Sequence, residues 1–153
     1  MAWAQGNFDF TTVEPDVIAE HPAHGFGGYA FGSSKEYVRA ERARKGNVIT
    51  EEYAGWLWYE GEIDGCGVNS GYEFERGRLV AGLWTITNNQ FCFGTIQDLL
   101  SRTYGSDLEM EIDGSTVKVE MWIPHTRIVH RKNDRFHGVN FYDTIDRTRI
   151  GGN

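Results

Sequence analysis

The sequence predicts an α+β fold: a single domain in which an antiparallel sheet of hairpins has two helices packed on one face. Three observations predict it. Apolar residues alternate on both sides of Asp113-Gly114, two segments open on helix-capping residues and close on glycine, and the elements run strand, helix, three strands, helix, four strands. A length of 153 residues suits one packed core, since about 68–70% of the unfolded surface is buried at this size. Glycine, at 19 residues, is well above the average of about 7%, as a hairpin-rich chain requires.

Residues 1–28 read as an irregular N-terminal arm, with one short strand at Phe8-Asp9-Phe10-Thr11 and a turn at Gly25-Phe26-Gly27-Gly28. The α+β domain spans 29–143. It opens with a brief strand at Tyr29-Ala30-Phe31. Ser33 then serves as N-cap, Glu36 completes a capping box, and a helix runs from Ser34 to about Arg44, with Gly46 at its C-terminal end. Its basic run, Arg39 to Lys45, is read as solvating the helix. Trp56 to Glu60 is a strand and Gly61 to Gly67 a loop. Val68 to Phe74 and Arg78 to Thr87 form a hairpin about Arg76-Gly77, with Phe74 facing Leu79, Tyr72 facing Ala81, Ser70 facing Leu83 and Glu75 facing Arg78.

Thr95 and Asp98 open a second helix that Tyr104-Gly105 closes. Across Asp113-Gly114, Met110 faces Val117 and Leu108 faces Val119. A last hairpin, Thr126 to Arg131 with Arg135 to Asp143, turns at Asn133-Asp134, and residues 144–153 form a tail rich in charge and glycine. No fixed-period repeat stands out.

Three pieces carry a family likeness: Phe31-Gly32-Ser33-Ser34-Lys35-Glu36-Tyr37-Val38, Tyr72-Glu73-Phe74-Glu75-Arg76-Gly77-Arg78-Leu79, and the helix from Leu99-Leu100 to Tyr104-Gly105. The series resembles small bacterial α+β proteins of unassigned function, many of them exported or lipid-anchored. The resemblance implies a shared fold over about residues 29–142 and carries no active site with it.

Fifteen basic and 22 acidic residues give a net charge of −7, the wrong sign for a protein that gains affinity by neutralising phosphates. Direct nucleic-acid binding is therefore not expected. The longest uncharged stretch, Leu79 to Gln97, is interrupted by Gly, Thr, Asn and Gln rather than being a lipid-facing run, so no membrane span is expected either. The first residues lack the basic and apolar regions of a secretory signal, which makes the cytoplasm the expected compartment.

The remaining signal is a belt of aromatic and acidic residues. Strand alternation puts Trp56 and Trp58 on one face and Leu57 and Tyr59 on the other, so one aromatic pair is expected outside the core unless the N-terminal arm covers it. Aromatics beside carboxylates suit an interface with a basic protein, the aromatics as anchors and the acids as steering charges. The partner-binding residues are accordingly expected to be Trp56, Trp58, Glu60, Glu62, Asp64, Glu73 and Glu75. The reading is a non-enzymatic, acidic protein-binding module that inhibits a basic partner, in the manner of immunity proteins, antitoxins or phage anti-defence proteins, with no cofactor.

The alternative is a small-ligand-binding protein or hydrolytic enzyme, with an aromatic pocket between sheet and arm and His125, His130 or His137 as polar groups. His130 and His137 are directly opposed if Asn133-Asp134 is the whole loop, and His125 is a conceivable third metal ligand. Without H-E-x-x-H or a cysteine pair at metal spacing no metal is assigned, and the bland reading is two polar residues on the exposed face of a terminal ribbon. The same carboxylates could pair as in a glycosidase, but alternation turns Glu73 and Glu75 away from Tyr72 and Phe74, toward solvent and ordinary pKa values. Cys66, flanked by Gly65 and Gly67, reads as a free thiol and Cys92 as a small core residue; a bond between them is compatible with an oxidising compartment and not expected in the cytosol.

Overall fold

Ten strands and two helices form the described part of the chain, in the order β1 (Gly25–Phe26), β2 (Tyr29–Ala30), α1 (Lys35–Arg44), β3 (Ile49–Tyr53), β4 (Trp56–Ile63), β5 (Cys66–Glu75), β6 (Arg78–Ile86), α2 (Cys92–Tyr104), β7 (Leu108–Asp113), β8 (Thr116–Ile123), β9 (Thr126–Lys132) and β10 (His137–Asp143). A computed structural model describes residues 25–87, 91–105, 107–123 and 126–144. The strand expected at Phe8 to Thr11, the rest of the arm before Gly25, His125 and the tail beyond Thr144 lie outside the described residues.

The expected α+β class, with two helices packed on one face, is not what forms. Among the described residues strand accounts for 57% and helix for 20%, and one eight-stranded antiparallel sheet dominates, accompanied by two short helices. The difference has a local cause. Ile49 to Tyr53, which carries no apolar alternation, pairs with β4 as an edge strand, and the expected loop from Gly61 to Gly67 shrinks to the turn Asp64-Gly65. Ladder hydrogen bonds hold glycine and acidic residues in strands when the pairing on one side is good, whatever their intrinsic preference.

Strand order is β3-β4-β5-β6-β10-β9-β8-β7. A helix followed by a four-strand meander thus occurs twice, and the two meanders meet antiparallel at the β6–β10 seam. The register there is symmetric about Leu83 and Asn140. A row of side chains crosses all eight strands on the core face: Ile49, Tyr59, Ser70, Trp84, Val139, His130, Val119 and Met110. The β1–β2 hairpin turns at Gly27-Gly28, whose φ values of 61° and 91° are those of a type I′ turn. It delivers Phe26 onto Gly82, where a Cβ would lie 2.0 Å from the ring. Phe26 packs there against Tyr72 and Phe141, at ring distances of 4.9 and 5.1 Å, and so bridges the two meanders.

Two of the expected hairpin registers shift. On β5–β6, Phe74–Leu79 and Glu75–Arg78 form as expected, but a bulge at Glu73/Phe74 then sets Tyr72 against Gly82 and Ser70 against Trp84. The slip of one residue sends Trp84, rather than Leu83, into the core. On β7–β8 the turn is Gly114-Ser115, so Met110 faces Val119 and Leu108 faces Met121, a slip of two that leaves each residue on its expected face.

Helix α1 starts one residue later than the capping box implies. Ser34, not Ser33, accepts the Tyr37 N–H, while the Ser33 hydroxyl donates to Ala30 O. Its Arg42 is buried rather than solvating the helix, with the guanidinium 4.5 Å from the Tyr59 ring centroid. Helix α2 begins at Cys92, before the expected start at Thr95, and ends at Gly105 as expected. Among the described residues no helix is long and apolar enough to cross a membrane.

Candidate functional site

The face of the sheet opposite the core row carries the aromatic and acidic residues singled out above. On β4, Trp56, Trp58, Glu60 and Glu62 share this face, while Leu57, Tyr59 and Ile63 are buried on the other. Trp56 and Trp58 stack, 5.3 Å apart and 11° from parallel. Gly71 on β5 makes this geometry fit: Trp58 lies across it, where a Cβ would come within 2.5 Å of the indole. The Trp58 indole N–H donates to Tyr53 Oη at 2.9 Å. Both tryptophans remain half-buried, in reach of a partner.

Glu73 sits beside Trp56 across the β4–β5 ladder. Glu60, Glu62, Asp64 and Glu75 are exposed. Desolvation, with the neighbouring Glu75 charge second, raises the Glu73 carboxyl above its ordinary pKa, which corrects the expectation of an unperturbed group. Asp64 lies in the β4–β5 turn and Glu75 at the far end of β5. Over the eight residues of β4 at about 3.3 Å each, the acids are spread along some ~25 Å rather than converging. They form a charged track along β4 and β5.

The same face continues to the other end of the sheet. Tyr142, Arg127 and Trp122 follow Ala81 in the row that begins at Tyr53, Trp56 and Glu73. Arg127 lies 5.2 Å from the Trp122 ring centroid and pairs with Glu120 at 2.6 Å, which holds the Glu120 carboxyl below its ordinary pKa. Two clefts open here. One of about 490 Å³ is lined by Glu109, Met110, Glu111, Lys118 and Glu120; the other, of about 290 Å³, by Asp107, Leu108, Glu109, Glu120 and Trp122. Sequence reading missed this second acidic region. Its signal was the alternation of Leu108-Glu109-Met110-Glu111-Ile112-Asp113, which places Glu109 and Glu111 together on the face opposite the apolar residues but was given no role.

The histidine pair is neither opposed nor exposed. The β9–β10 loop is Asn133 to Phe136, closed by Asn133 N–H donating to Phe136 O and by the Asn133 side chain accepting from the backbone of Arg135 and Phe136. His130 therefore faces Val139, and His137 faces Lys132. The two imidazoles meet diagonally, with 2.8 Å between their Nε2 atoms, and are 0% and 8% exposed. Phe93 of α2 stacks on His130 at 4.0 Å.

Gln97 fixes the protons. Its amide nitrogen faces Ser101 Oγ at 3.2 Å and Met121 Sδ, an acceptor only, at 3.9 Å, so its oxygen, 2.9 Å from His130 Nδ1, accepts the N–H there. His130 Nε2 is then the acceptor for His137 Nε2–H. Burial lowers both pKa values, His130 to about 3 with His137 as the second cause, and His137 to about 4 with Lys132 as the second cause. Nitrogens 2.8 Å apart share a proton; two ligands of one zinc would stand ~3.3 Å apart. Among the described residues no group of three or more His, Cys, Asp or Glu is placed to hold a metal.

Cys66 and Cys92 form a disulfide, with Cα atoms 6.0 Å apart, instead of remaining separate. The bond joins the start of β5 to the first residue of α2. Sequence spacing does not show that a β4–β5 turn and a helix start, 26 residues apart, come together at one end of the sheet. No family model, curated protein or solved structure matches the chain.

Proposed function

We propose that the chain is a non-enzymatic, acidic protein-binding module that inhibits a protein partner by covering its basic surface. The supporting observation is the half-buried Trp56–Trp58 stack on a sheet face bordered by Glu60, Glu62 and Glu73. A stacked, glycine-seated aromatic pair loses little conformational entropy on binding, and carboxylates strung along a strand match a run of basic side chains better than a single charged substrate. The hydrolytic alternative draws less support, because His130 and His137 are buried, neutral near pH 7 and hydrogen-bonded to Gln97 and to each other. The disulfide favours an oxidising compartment over the cytoplasm, where thiols are kept reduced.

The test is capture of partners from the native host at low and moderate salt, with the Glu60→Lys/Glu62→Lys/Asp64→Lys protein as control. The expected result is a stoichiometric basic protein that elutes as salt rises and is not retained by the charge-reversed variant. Equal capture by both proteins overturns the electrostatic reading.

A further inference from the structure

The two edges of the sheet are built differently. On β3, a bulge at Ile49/Glu51 breaks the ladder, and Glu52 is engaged by Arg39 and Lys35 of α1. These are devices that discourage another strand from adding. On β7 there is no bulge, and among the described residues its one ion pair, Glu111 with Lys118, is to the neighbouring strand β8 rather than to a helix. All six residues are exposed, and among the described residues no strand lies along the outer side.

Its two faces also differ. Leu108, Met110 and Ile112, which continue the core face, are 37%, 56% and 67% exposed, whereas Glu109 and Glu111 line the clefts of the other face, Glu111 beside Lys118, and Asp113 follows them at the end of the strand. We infer that the outer edge of β7 docks an extended segment of a partner protein in which basic and apolar side chains alternate, added as a ninth strand of the sheet. The inference rests on the basic-partner reading above and assigns it a second site.

Charge selects this occupant over a second copy of the chain. Residues opposite one another across a strand pair share a face, so β7 against β7 sets Glu109, Glu111 and Asp113 against the same acids of the other copy. A strand with lysine or arginine at alternate positions sets cations against that row instead. Its basic side chains reach the clefts beside Trp122 and Glu120, and its apolar side chains cover Leu108, Met110 and Ile112. The six residues of β7, at about 3.4 Å each, give a docking length of ~20 Å. Main-chain hydrogen bonds supply affinity, and the alternation supplies specificity.

The test uses labelled synthetic peptides: Lys-Val-Lys-Val-Lys-Val-Lys, the same residues in block order, and Glu-Val-Glu-Val-Glu-Val-Glu. Fluorescence anisotropy and amide exchange of residues 108–113 are measured on the full chain. The alternating basic peptide is expected to bind at least about tenfold more tightly than the block peptide and to protect the β7 amides. A Glu109→Lys/Glu111→Lys variant is expected to exchange that preference for the alternating acidic peptide, a gain that a misfolded variant could not show. Equal binding of the alternating and block peptides, or binding without protection of β7, overturns the inference. So does a concentration-dependent doubling of mass that Ile112→Lys abolishes, which would make a second copy the occupant. Loss of peptide binding only in the Glu60→Lys/Glu62→Lys/Asp64→Lys protein overturns the edge site while leaving the basic-partner reading intact.

Discussion

The 2.8 Å contact between the Nε2 atoms of His130 and His137 has room for one N–H, so protonating both rings sets donor against donor in a site with no water access at His130. Each folded-state pKa, about 3 and about 4, lies below the ordinary 6.5. The sign follows: between pH 6.5 and about 4 the unfolded chain binds up to two protons that the folded chain refuses. Stability therefore rises with pH through this window and is lost as pH falls, with a limiting slope of ~2.7 kcal/mol per pH unit. Thermal melts at pH 7.0 and 5.0 should show a marked drop in Tm, and a His130→Phe/His137→Phe protein, although less well packed, should show a much smaller one. An equal drop in both proteins would place the acid sensitivity elsewhere. The paired carboxylate of Glu52, held at about 2 chiefly by its hydrogen bond to Arg39, acts in the same direction, but its contribution is lost as pH falls from the ordinary 4.5 toward 2, mostly below the pH 5.0 point of the comparison. Sequence reading found both histidines and misplaced them, because it took the loop as two residues when the Asn133 side chain closes one of four.

At the scale of elements, the disulfide does what the α2 sequence does poorly. Phe91, at the N-cap position, makes no side-chain capping bond, and the helix starts three residues before Thr95, the residue whose type suits a cap. The Cys66–Cys92 bond holds that first turn against the β4–β5 end of the sheet. For a sequence separation of 26, loop-closure entropy predicts a stabilisation of roughly 3–4 kcal/mol. Urea unfolding of a Cys66→Ser/Cys92→Ser protein should show a loss of that size; a loss below about 1 kcal/mol would mean that α2 is held by its packing alone. Helix ends and turns were legible where the signal is chemical and local: Ser34 and Gly105 within a residue, Arg76-Gly77 as the β5–β6 turn, and the opposed faces of Trp56/Trp58 and Leu57/Tyr59. What was not legible depends on partners distant in sequence. The bulge at Glu73/Phe74 exists because Trp84, rather than Leu83, must enter the core beside Phe141; the strand at Ile49 to Tyr53 exists because β4 offers it an edge.

For the whole molecule, the order β3-β4-β5-β6-β10-β9-β8-β7 places β10, the last of the described strands, at the centre of the sheet, beside a strand from the first half. In sequence the two halves show a faint echo, Phe31-Gly32-Ser33 before one helix and Phe93-Gly94-Thr95 within the other, too short to have revealed a repeated helix-and-meander unit. Neither half can complete its core alone: Trp84 of β6 and Phe141 of β10 are in contact at 5.0 Å, and Phe26 packs on both. Amides of β4, β5, β6, β9 and β10 should therefore exchange only through one global opening, giving a common free energy from both halves. β7 is the opposite case. Its apolar residues are exposed, among the described residues it pairs on one side, and its acids share one face of the strand, so its amides should exchange by local fraying, independent of denaturant and orders of magnitude faster. Native-state hydrogen exchange against urea separates these outcomes: two distinct isotherms for the two halves would refute a single core, and a β7 that joins the global isotherm would refute an edge held loosely enough to accept a new strand. The expected hierarchy couples fold to function, because the rigid seam can hold the Trp56–Trp58 face in shape while the terminal strand adapts to whatever adds to it.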